Sequence, residues 1–280
     1  MCKIGEVVVV GGVRRSAMIS LTDLGDEQIR SAKSGQWWVD NPQRALSNNS
    51  AVYNHKPDIE TFMKEWLSLI ESKSGERGLY SRYGAQKSAP DRRDGDEIKG
   101  TSPCSEISLR SAQFCNLTEV IARQGDSKDD LRNKVRIASI LGTLQASLTD
   151  FPYLRKVWTT NTEEERLLGV SLTGIQDCEL LNGTSHQFGK NISTLLEELR
   201  EIAITTNTEW AERLGIARAA AVTTIKPSGT VSQLVDSSSG IHGRFAPYYI
   251  RTVRQSKDDP LTHFLTAAGV PTEALSLIHI

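Results

Sequence analysis

The sequence predicts an α/β fold with a mostly parallel sheet, because patterns typical of buried strands alternate with patterns of amphipathic helices. Residues 6–10 (EVVVV) and 167–175 (LLGVSLTGI) are apolar runs of the kind that form strands buried on both faces. A further strand is predicted around Leu79 and Tyr80. The 280 residues suffice for one large domain or two smaller ones.

The first two predicted helices are marked by the residues at their ends. A short helix covers residues 26–33 and stops before Gly35. Pro57 opens the next helix, which closes near Gly75. Its apolar side chains are spaced to share one face, and we expect that face to be core: Ile59, Phe62, Met63, Trp66, Leu67 and Ile70. The charged stretch 86–96 is expected to be a solvated connection.

Two longer helices are predicted in the second half of the chain. Ser127 and Asp130 have the spacing of a capping box. The helix that they start carries apolar residues at helical spacing: Leu131, Val135, Ala138, Leu141, Leu144 and Leu148. The other helix is capped by Asn191 or Ser193 and ends at Gly215.

Composition excludes several classes of function. Lys+Arg 33 against Asp+Glu 34 gives a formal charge of -1, so no overall field favours nucleic acid or an anionic membrane. No apolar run approaches the roughly 20 residues of a membrane span, and no signal-peptide pattern is present. Four cysteines without a CxxC pair indicate a reducing, cytoplasmic setting. The five histidines form no cluster with metal-ligand spacing, so no protein-bound metal is expected.

The stretch 100–119, GTSPCSEISLRSAQFCNLTE, carries the main candidate chemistry. Cys104 and Glu106 are two residues apart, and on an extended segment both would point to the same side and face one substrate. Cys115 follows eleven residues after Cys104. Residue counts alone favour inert cysteines, because free cysteines are usually small buried hydrophobes.

The longer pattern favours chemistry instead. Pro103-Cys104-Ser105-Glu106, followed by Cys115 within QFCNLTE, resembles the large catalytic subunit of the ribonucleotide reductases. The resemblance is greatest to the adenosylcobalamin-dependent class II ribonucleoside-triphosphate reductases. It implies that Cys104 becomes the thiyl radical that takes the 3′ hydrogen of the ribose. Glu106 then accepts the 3′-OH proton, and Cys115 is one half of the dithiol that reduces the 2′ carbon.

A second motif lies at 227–232, where residues PSGTVS follow a predicted strand and precede a predicted helix. Backbone N–H groups and hydroxyls at such a turn can bind an anion, although the motif is no Walker loop. The resemblance implies that this segment binds substrate phosphate. The substrate-binding residues predicted here are Ser102, Pro227, Ser228, Gly229, Thr230 and Ser232. Many family members have asparagine where this chain has Ser102, and Lys226 either adds positive charge to the site or is simply exposed.

Three further segments contribute to the resemblance, which covers most of residues 5–265. GGVRRSA at 11–17 and SGERGLYSRY at 74–83 match runs of the family. Residues 37–53 lie in the position of its specificity loop, which links the effector nucleotide to the substrate base. Arg44, Asn48 and Asn49 are the candidate contacts on that loop.

The resemblance also implies the setting of the reaction. The fold would be part of a ten-stranded α/β barrel built from two five-stranded halves, with the cysteine loop at its centre. Adenosylcobalamin is the implied cofactor, with a ribonucleotide substrate, a nucleotide effector and a thioredoxin-type reductant as partners. Two alternatives stay open: a class I-type large subunit with a di-iron partner, or a nucleotide-binding remnant without catalysis.

We expect residues 1–274 to be a partial catalytic barrel domain that is truncated at both ends. Residues 275–280 (LSLIHI) match the in-frame translation of a common transposon sequencing adaptor, and we expect them to be a non-native tail rather than a short natural terminus. In the family, the dithiol partner of Cys115 lies upstream and the cysteines that re-reduce the disulfide lie downstream. The chain as given is therefore predicted not to turn over.

Overall fold

The structure is a computed structural model, and it describes residues 1–10, 16–183, 192–250, 252–253 and 256–273. The chain forms two compact units. The first unit comprises Met1–Gly84 and Ile250–Ile280, and the second comprises Ala85–Tyr249. The predicted GGVRR segment, the Asn191 cap and the 275–280 tail lie outside the described residues.

The first unit is built on a three-stranded parallel sheet. Its elements are α1 (Cys2–Val10), β1 (Met18–Thr22), α2 (Glu27–Arg30), α3 (Trp37–Asp40), a 3-10 helix (Pro42–Leu46), β2 (Ser47–Tyr53), α4 (Ile59–Ser72) and β3 (Gly78–Ser81). The strand order is β1-β2-β3, so β2 is central, and its residues 51–53 are buried. Strand β3 confirms the strand predicted around Leu79 and Tyr80.

The predicted strand at residues 6–10 is wrong, because these residues belong to helix α1. Val7 is 73% exposed and Val8 is 46% exposed, so the valine run is not buried on both faces. A five-residue apolar run cannot distinguish a strand from a helix by its period alone. The Lys3 ammonium lies 2.9 Å from the Glu6 carboxylate, one helical turn away, which is an arrangement that favours the helix.

Helix α4 begins after Asp58, whose carboxylate accepts a hydrogen bond from the Thr61 N–H. Its predicted core face is wrong, because most of that face is exposed: Ile59, Met63, Trp66, Leu67 and Ile70. The helix buries Glu65 instead, and the Glu65 side chain is only 2% exposed. Glu65 accepts hydrogen bonds from the guanidinium groups of Arg30 and Arg77, and this buried ion cluster holds α4 against the rest of the first unit.

The second unit is centred on a parallel pair of strands. Helix α5 (Arg82–Lys87) leads into it, and its further elements are a 3-10 turn (Gly95–Glu97), β4 (Gly100–Thr101), β5 (Ser108–Leu109), β6 (Asn116–Ile121), α6 (Lys128–Ala146), α7 (Lys156–Glu165), β7 (Leu168–Thr173), α8 (Ile192–Leu214) and α9 (Val231–Leu234). Strands β6 and β7 pair in parallel, and β4 and β5 form a separate antiparallel hairpin. Helix α10 (Pro260–Ala267) returns to the first unit.

The core of the second unit lies between the β6–β7 pair and the two long helices α6 and α8. It is formed by buried side chains from all four elements, including Val120, Leu131, Val135, Leu168, Leu195 and Leu199. The capping box of Ser127 and Asp130 is present as predicted. Of the apolar residues at helical spacing, Leu141 and Leu144 are exposed, and Leu148 lies beyond the end of α6.

The segment that leads to the 227–232 turn runs beside β7. Leu168 donates its N–H to the Ala221 carbonyl at 3.0 Å, and Val170 donates to Val222 at 2.9 Å. The strand predicted before Pro227 is nevertheless wrong as a regular element, because only a single bridge, Val170 to Thr223, is formed.

None of the helices in the described ranges combines the length and the apolar composition that a membrane span needs.

The α/β prediction is confirmed, with parallel pairing in two of the three sheets of the described residues.

Gly169 explains why strand β7 lies so close to its neighbours. A Cβ at this position would lie 2.5 Å from the Leu117 side chain and 2.9 Å from those of Ile107 and Thr224. Glycine therefore allows the hairpin, β6 and the 219–226 segment to converge on one strand.

Candidate active site

Cys104 lies at the tip of the β4–β5 hairpin. The Ser102 N–H donates to the Ile107 carbonyl at 2.9 Å, and the Ser105 N–H donates to the Ser102 carbonyl at 2.8 Å. Ser105 has φ of 63°, which turns the chain back on itself. The expectation that Cys104 and Glu106 share one side of an extended segment is wrong, because the segment is a turn. The turn leaves the Cys104 thiol exposed.

Glu106 points into the second unit, and its side chain is only 3% exposed. One carboxylate oxygen accepts a hydrogen bond from the Ser102 hydroxyl, and the other lies 2.9 Å from the Lys226 ammonium. Burial raises the pKa of Glu106, but the hydrogen bonds from Ser102 and Lys226 outweigh burial and lower the pKa below its usual value. Glu106 is therefore an anion held by one hydroxyl and one ammonium.

Cys115 ends the loop that connects the hairpin to β6. It packs against a small apolar cluster that contains Ile107, Leu167 and Ala220. Burial, together with the negative charge of Glu106, raises the pKa of Cys115 to about 11. At neutral pH this side chain is a protonated thiol, which carries a hydrogen atom, rather than a thiolate.

Lys226 connects the hairpin to the 227–232 turn. Its backbone N–H donates to the Ser171 hydroxyl at 3.0 Å, while the Thr224 hydroxyl donates to the Glu106 carbonyl. Burial lowers the pKa of Lys226, but Glu106, Cys104 and Glu119 together raise it above its usual value. These electrostatic interactions place the two chemical motifs of the sequence at one site.

The 227–232 turn has a buried side and an exposed side. Ser228 has φ of 55°, and its hydroxyl donates to the Glu119 carboxylate. The Ser232 hydroxyl donates to the Ser228 carbonyl. Both hydroxyls stabilise the turn itself, whereas Gly229 and Thr230 are exposed. Of the predicted phosphate-binding residues, these two have the position to meet a ligand.

A surface cleft of about 410 Å³ adjoins the turn. It is lined by the turn and by the segment that follows α9, including Gly229, Ser232, Ser238, His242 and Arg244. Cys104 does not line this cleft. The 227–232 turn contributes to the cleft, and Lys226, which directly precedes this turn, pairs with Glu106 of the hairpin.

Glu119 is a residue that reasoning from the sequence missed. Lys226 was named with two alternatives, and its contact with Glu106 shows that it adds positive charge to the site. Glu119 accepts hydrogen bonds from Thr173 at 3.0 Å and from Ser228, so it fixes the turn to the β6–β7 pair. Glu119 is the last residue of the quoted motif QFCNLTE, and Lys226 directly precedes the motif PSGTVS. Their positions in the motifs gave a signal, but their partners lie far away in the sequence.

The loop before Cys115 is held by a buried polar cluster. The Gln113 amide oxygen accepts from Arg93 at 3.2 Å and from the Arg110 N–H at 2.9 Å, and the Gln113 amide nitrogen donates to Glu165. Arg93 and Glu165 form an ion pair at 3.1 Å. The prediction that 86–96 is only a solvated connection is therefore wrong for Arg93, which is 8% exposed.

The candidate effector residues lie in the first unit and not on an irregular loop. Arg44 is in the 3-10 helix, where its guanidinium donates to the Ala32 carbonyl at 2.6 Å. Asn48 and Asn49 belong to strand β2, so the predicted loop is wrong at these two positions. Asn49 is buried and its N–H donates to Glu76 at 3.2 Å, while Asn48 is exposed.

The fold is that of the ribonucleotide reductases. The structure superimposes on a B-12 dependent (class II) ribonucleotide reductase with a TM-score of 0.72 and 25% identity, covering 98% of this chain and 40% of the other. It also matches the alpha subunit of the Actinobacillus ureae class Id ribonucleotide reductase, with a TM-score of 0.66 and 18% identity, over 93% of this chain and 54% of that one. The second match concerns the fold alone.

Sequence relatives narrow the similarity. The chain is 30% identical to the adenosylcobalamin-dependent ribonucleoside-triphosphate reductase of Lactobacillus acidophilus and 31% identical to that of Lacticaseibacillus paracasei, each over 96% of its length. It is 32% identical, over 96% of its length, to a probable enzyme of the same name from Dictyostelium discoideum. The resemblance identified from the sequence is thereby confirmed. No family model matches the chain.

The chain spans 35–39% of the length of these curated relatives. Below, "the whole protein" means a protein of the relatives' full length that contains this chain as its matching region.

Proposed function

We propose that the whole protein reduces ribonucleotides, as triphosphates, to 2′-deoxyribonucleotides through a thiyl radical at Cys104. The observation that carries the proposal is the arrangement around Glu106. An exposed thiol, a buried carboxylate and a second, protonated thiol are held on one hairpin and the loop that follows it. The similarity to adenosylcobalamin-dependent reductases supports the choice of reaction.

In the proposed reaction, the Cys104 thiyl radical takes the hydrogen atom from the ribose C3′, so an S–H bond forms and a C–H bond breaks. The exposed position of Cys104 supports this role, because the sugar has to reach the sulfur. Cys104 returns the hydrogen atom at the end of the cycle and is not consumed.

Glu106 acts as the general base that accepts the proton of the 3′-OH. The Ser102 hydroxyl holds one carboxylate oxygen and so orients the base. Ser102 is thus a positioning residue for Glu106 here, in addition to the ribose contact expected at its position.

Cys115 supplies half of the reducing equivalents. The 2′-OH leaves as water, and two thiols provide two electrons and two protons as they form a disulfide. The raised pKa of Cys115 supports a thiol that delivers hydrogen rather than a thiolate nucleophile. The second thiol belongs to the whole protein, and a thioredoxin-type dithiol protein would reduce the disulfide afterwards.

The fit of the implied cofactor rests on Cys104. A thiol at the tip of a hairpin is open to a large partner, and a cofactor that brings its own metal requires no metal-ligand cluster from the protein. Adenosylcobalamin, when bound, supplies the radical that removes the hydrogen atom from this thiol. The 30–32% identical relatives favour this cofactor over a di-iron partner, since the class Id match concerns only the fold.

Substrate phosphate is proposed to bind at Gly229 and Thr230, on the exposed side of the 227–232 turn. Effector binding near Arg44, Asn48 and Asn49 is proposed on the resemblance alone. A cytoplasmic location is proposed because the free cysteines fit a reducing compartment.

The proposal is tested by Cys104→Ala in the whole protein. We expect nucleotide binding to be retained and deoxynucleotide formation to be lost, measured by product analysis with adenosylcobalamin and a dithiol present. Cys178→Ala is the matched control, because Cys178 is buried in the core away from the hairpin and the proposal gives it no chemical role. Deoxynucleotide formation by Cys104→Ala would refute the proposal, and equal activity without cobalamin would favour the class I alternative.

A further inference from the structure

The ion pair between Lys226 and Glu106 poses a chemical problem for the proposed reaction, on which this inference rests. A general base works best when its pKa is near the working pH. Here the ammonium lies 2.9 Å from one carboxylate oxygen of Glu106, and the Ser102 hydroxyl donates to the other. Such a partner stabilises the carboxylate and makes it a poorer base. Departure of Lys226 would therefore make Glu106 a stronger base.

We propose that Lys226 is a nucleotide-responsive counter-ion: it pairs with Glu106 in the free protein and moves to the substrate phosphates on binding, which frees Glu106 to act as the base.

The two partners of the ion pair differ in their freedom to move. The Glu106 side chain is 3% exposed and is also held by Ser102, whereas the Lys226 side chain is 25% exposed. A lysine side chain is flexible and ends in a compact charge. If one partner moves when a ligand binds, it is Lys226.

The backbone of Lys226, by contrast, is fixed. Its N–H donates to Ser171 at 3.0 Å. A Cβ on Gly240 would lie 1.8 Å from the Lys226 carbonyl oxygen, so the two backbones are in close contact. The next residue, Pro227, accepts a hydrogen bond from the Gly240 N–H at 3.1 Å. The ammonium can therefore swing while its point of attachment stays in place.

The 227–232 turn begins at the residue after Lys226. Consecutive Cα atoms are about 3.8 Å apart, and the exposed residues Gly229 and Thr230 are the third and fourth residues after Lys226. A phosphate bound there is within reach of a lysine side chain. A triphosphate carries several negative charges against the single charge of Glu106, and it can compete for the ammonium.

Among the described residues, groups from the hairpin and from β6 act electrostatically on Lys226. Glu106 and Cys104 approach it from the hairpin, and Glu119 approaches from β6. Glu119 is engaged by the hydroxyls of Thr173 and Ser228, so it is not free to replace Glu106 as the partner. Cys115 is a further titratable group that interacts with Glu106, and its raised pKa keeps it a neutral thiol. Loss of the ammonium would therefore raise the pKa of Glu106 and strengthen it as a base.

The test measures the pKa of Glu106 in the full chain by ¹³C NMR of its side-chain carboxyl, with the resonance identified by its absence in Glu106→Gln. The probe is ATP, and adenosine, which lacks phosphates, is the control ligand. We expect ATP to raise the pKa of Glu106 and adenosine to leave it unchanged. In Lys226→Met the pKa should be raised without ligand, and the additional rise on ATP binding should be smaller than in the wild type.

Two further variants separate charge from structure. Lys226→Arg keeps the charge and should retain ATP affinity, while Lys226→Met should weaken it by roughly tenfold, as expected for one charged contact. Lys134→Met is the matched control: Lys134 is 35% exposed and pairs with Asp126 at 2.6 Å, in the same unit but away from the site. It should change neither ATP affinity nor the pKa of Glu106.

The inference fails if ATP binds and the pKa of Glu106 stays low, or if ATP raises this pKa equally in the wild type and in Lys226→Met. Neither result would touch the proposed function, which is tested separately by product formation in the whole protein. If ATP does not bind at all, the inference and the proposed phosphate site fail together.

Discussion

Glu65 in the first unit and Glu106 in the second are both buried carboxylates, but they are held in different ways. Glu65 accepts hydrogen bonds from two guanidinium groups, with Arg77 at 3.0 and 2.8 Å on its two oxygens and Arg30 as the second partner. Glu106 has one hydroxyl and one ammonium. Burial raises the pKa of each, and in each case the partners outweigh burial and lower it.

The partners of a buried carboxylate decide whether it is fixed in place or able to change its contacts. Arginine offers a rigid fork of donors that stays charged, so two arginines leave Glu65 no freedom to change partners. Glu106 depends on a flexible lysine at the edge of the unit. These partners support a structural role for Glu65 and leave Glu106 able to change partners, as the chemical role proposed for it requires.

The largest effect is expected from Glu106→Gln in the whole protein. Glutamine keeps the size of the side chain and can still accept from Ser102, but it cannot take the 3′-OH proton. We expect turnover to fall by about 10²- to 10⁴-fold, the usual contribution of a general base. The melting temperature, measured by calorimetry, should change little. Near-normal turnover would contradict the assignment of Glu106 as the base.

Glu65→Gln should show the opposite pattern, with a large loss of stability. It leaves two arginines, one of them with a side chain only 1% exposed, beside a neutral partner. Removing one member of a buried ion pair costs about 3–5 kcal/mol. Urea denaturation measures the change, and Glu71→Gln, at an exposed position of the same helix, should stay within roughly 0.5 kcal/mol of the wild type. Equal effects of the two variants would contradict the structural role.

The stability of the first unit should also depend on pH through Glu65. Its folded pKa is lowered from an ordinary value of 4.5, so the ion cluster contributes fully above that value. The contribution is lost as the pH falls below 4.5 through the lowered folded pKa. One such group changes the free energy of unfolding by at most about 1.4 kcal/mol per pH unit. Glu65→Gln should flatten the acid limb of stability against pH, and an unchanged acid limb would argue against the ion cluster.

The smallest effect separates the two thiols of the hairpin region. Cys104 is exposed, while Cys115 is partly buried and has a pKa of about 11. Since the thiolate is the reactive form, iodoacetamide at about pH 8 should modify Cys104 at least roughly tenfold faster than Cys115. Peptide mass spectrometry measures both rates in one sample. The rate of modification at Cys115 should rise as the pH approaches the pKa of its thiol. Equal rates at Cys104 and Cys115 at about pH 8 would contradict the burial of Cys115.

Local signals predicted the local structure well. The capping box at Ser127, the strand at Leu79 and the strand over 168–173 each depend on neighbouring residues, and each is present. The valine run at 7–10 failed because its period fits a strand and a helix equally. Helix α4 is present, but its predicted core face was wrong for another reason: Glu65 finds its partners outside the helix, and the spacing of apolar residues does not show them.

The candidate site followed the same rule. The residue types at Cys104, Glu106 and Cys115 indicated the chemistry, but the turn at Ser105 was not predictable from strand alternation. Lys226 directly precedes the 227–232 turn in the sequence, yet its partner Glu106 lies 120 residues away. A contact over that separation depends on how β7 brings the hairpin and the 219–226 segment together, and the sequence alone does not specify it.

The most direct test of radical exchange at Cys104 is freeze-quench EPR on the whole protein mixed with adenosylcobalamin and ATP. We expect a sulfur-centred radical whose spectrum changes when the protein is labelled with β-deuterated cysteine. The signal should be absent in Cys104→Ala and present in Cys178→Ala. A radical that persists in Cys104→Ala with the same cysteine labelling effect would contradict radical exchange at Cys104.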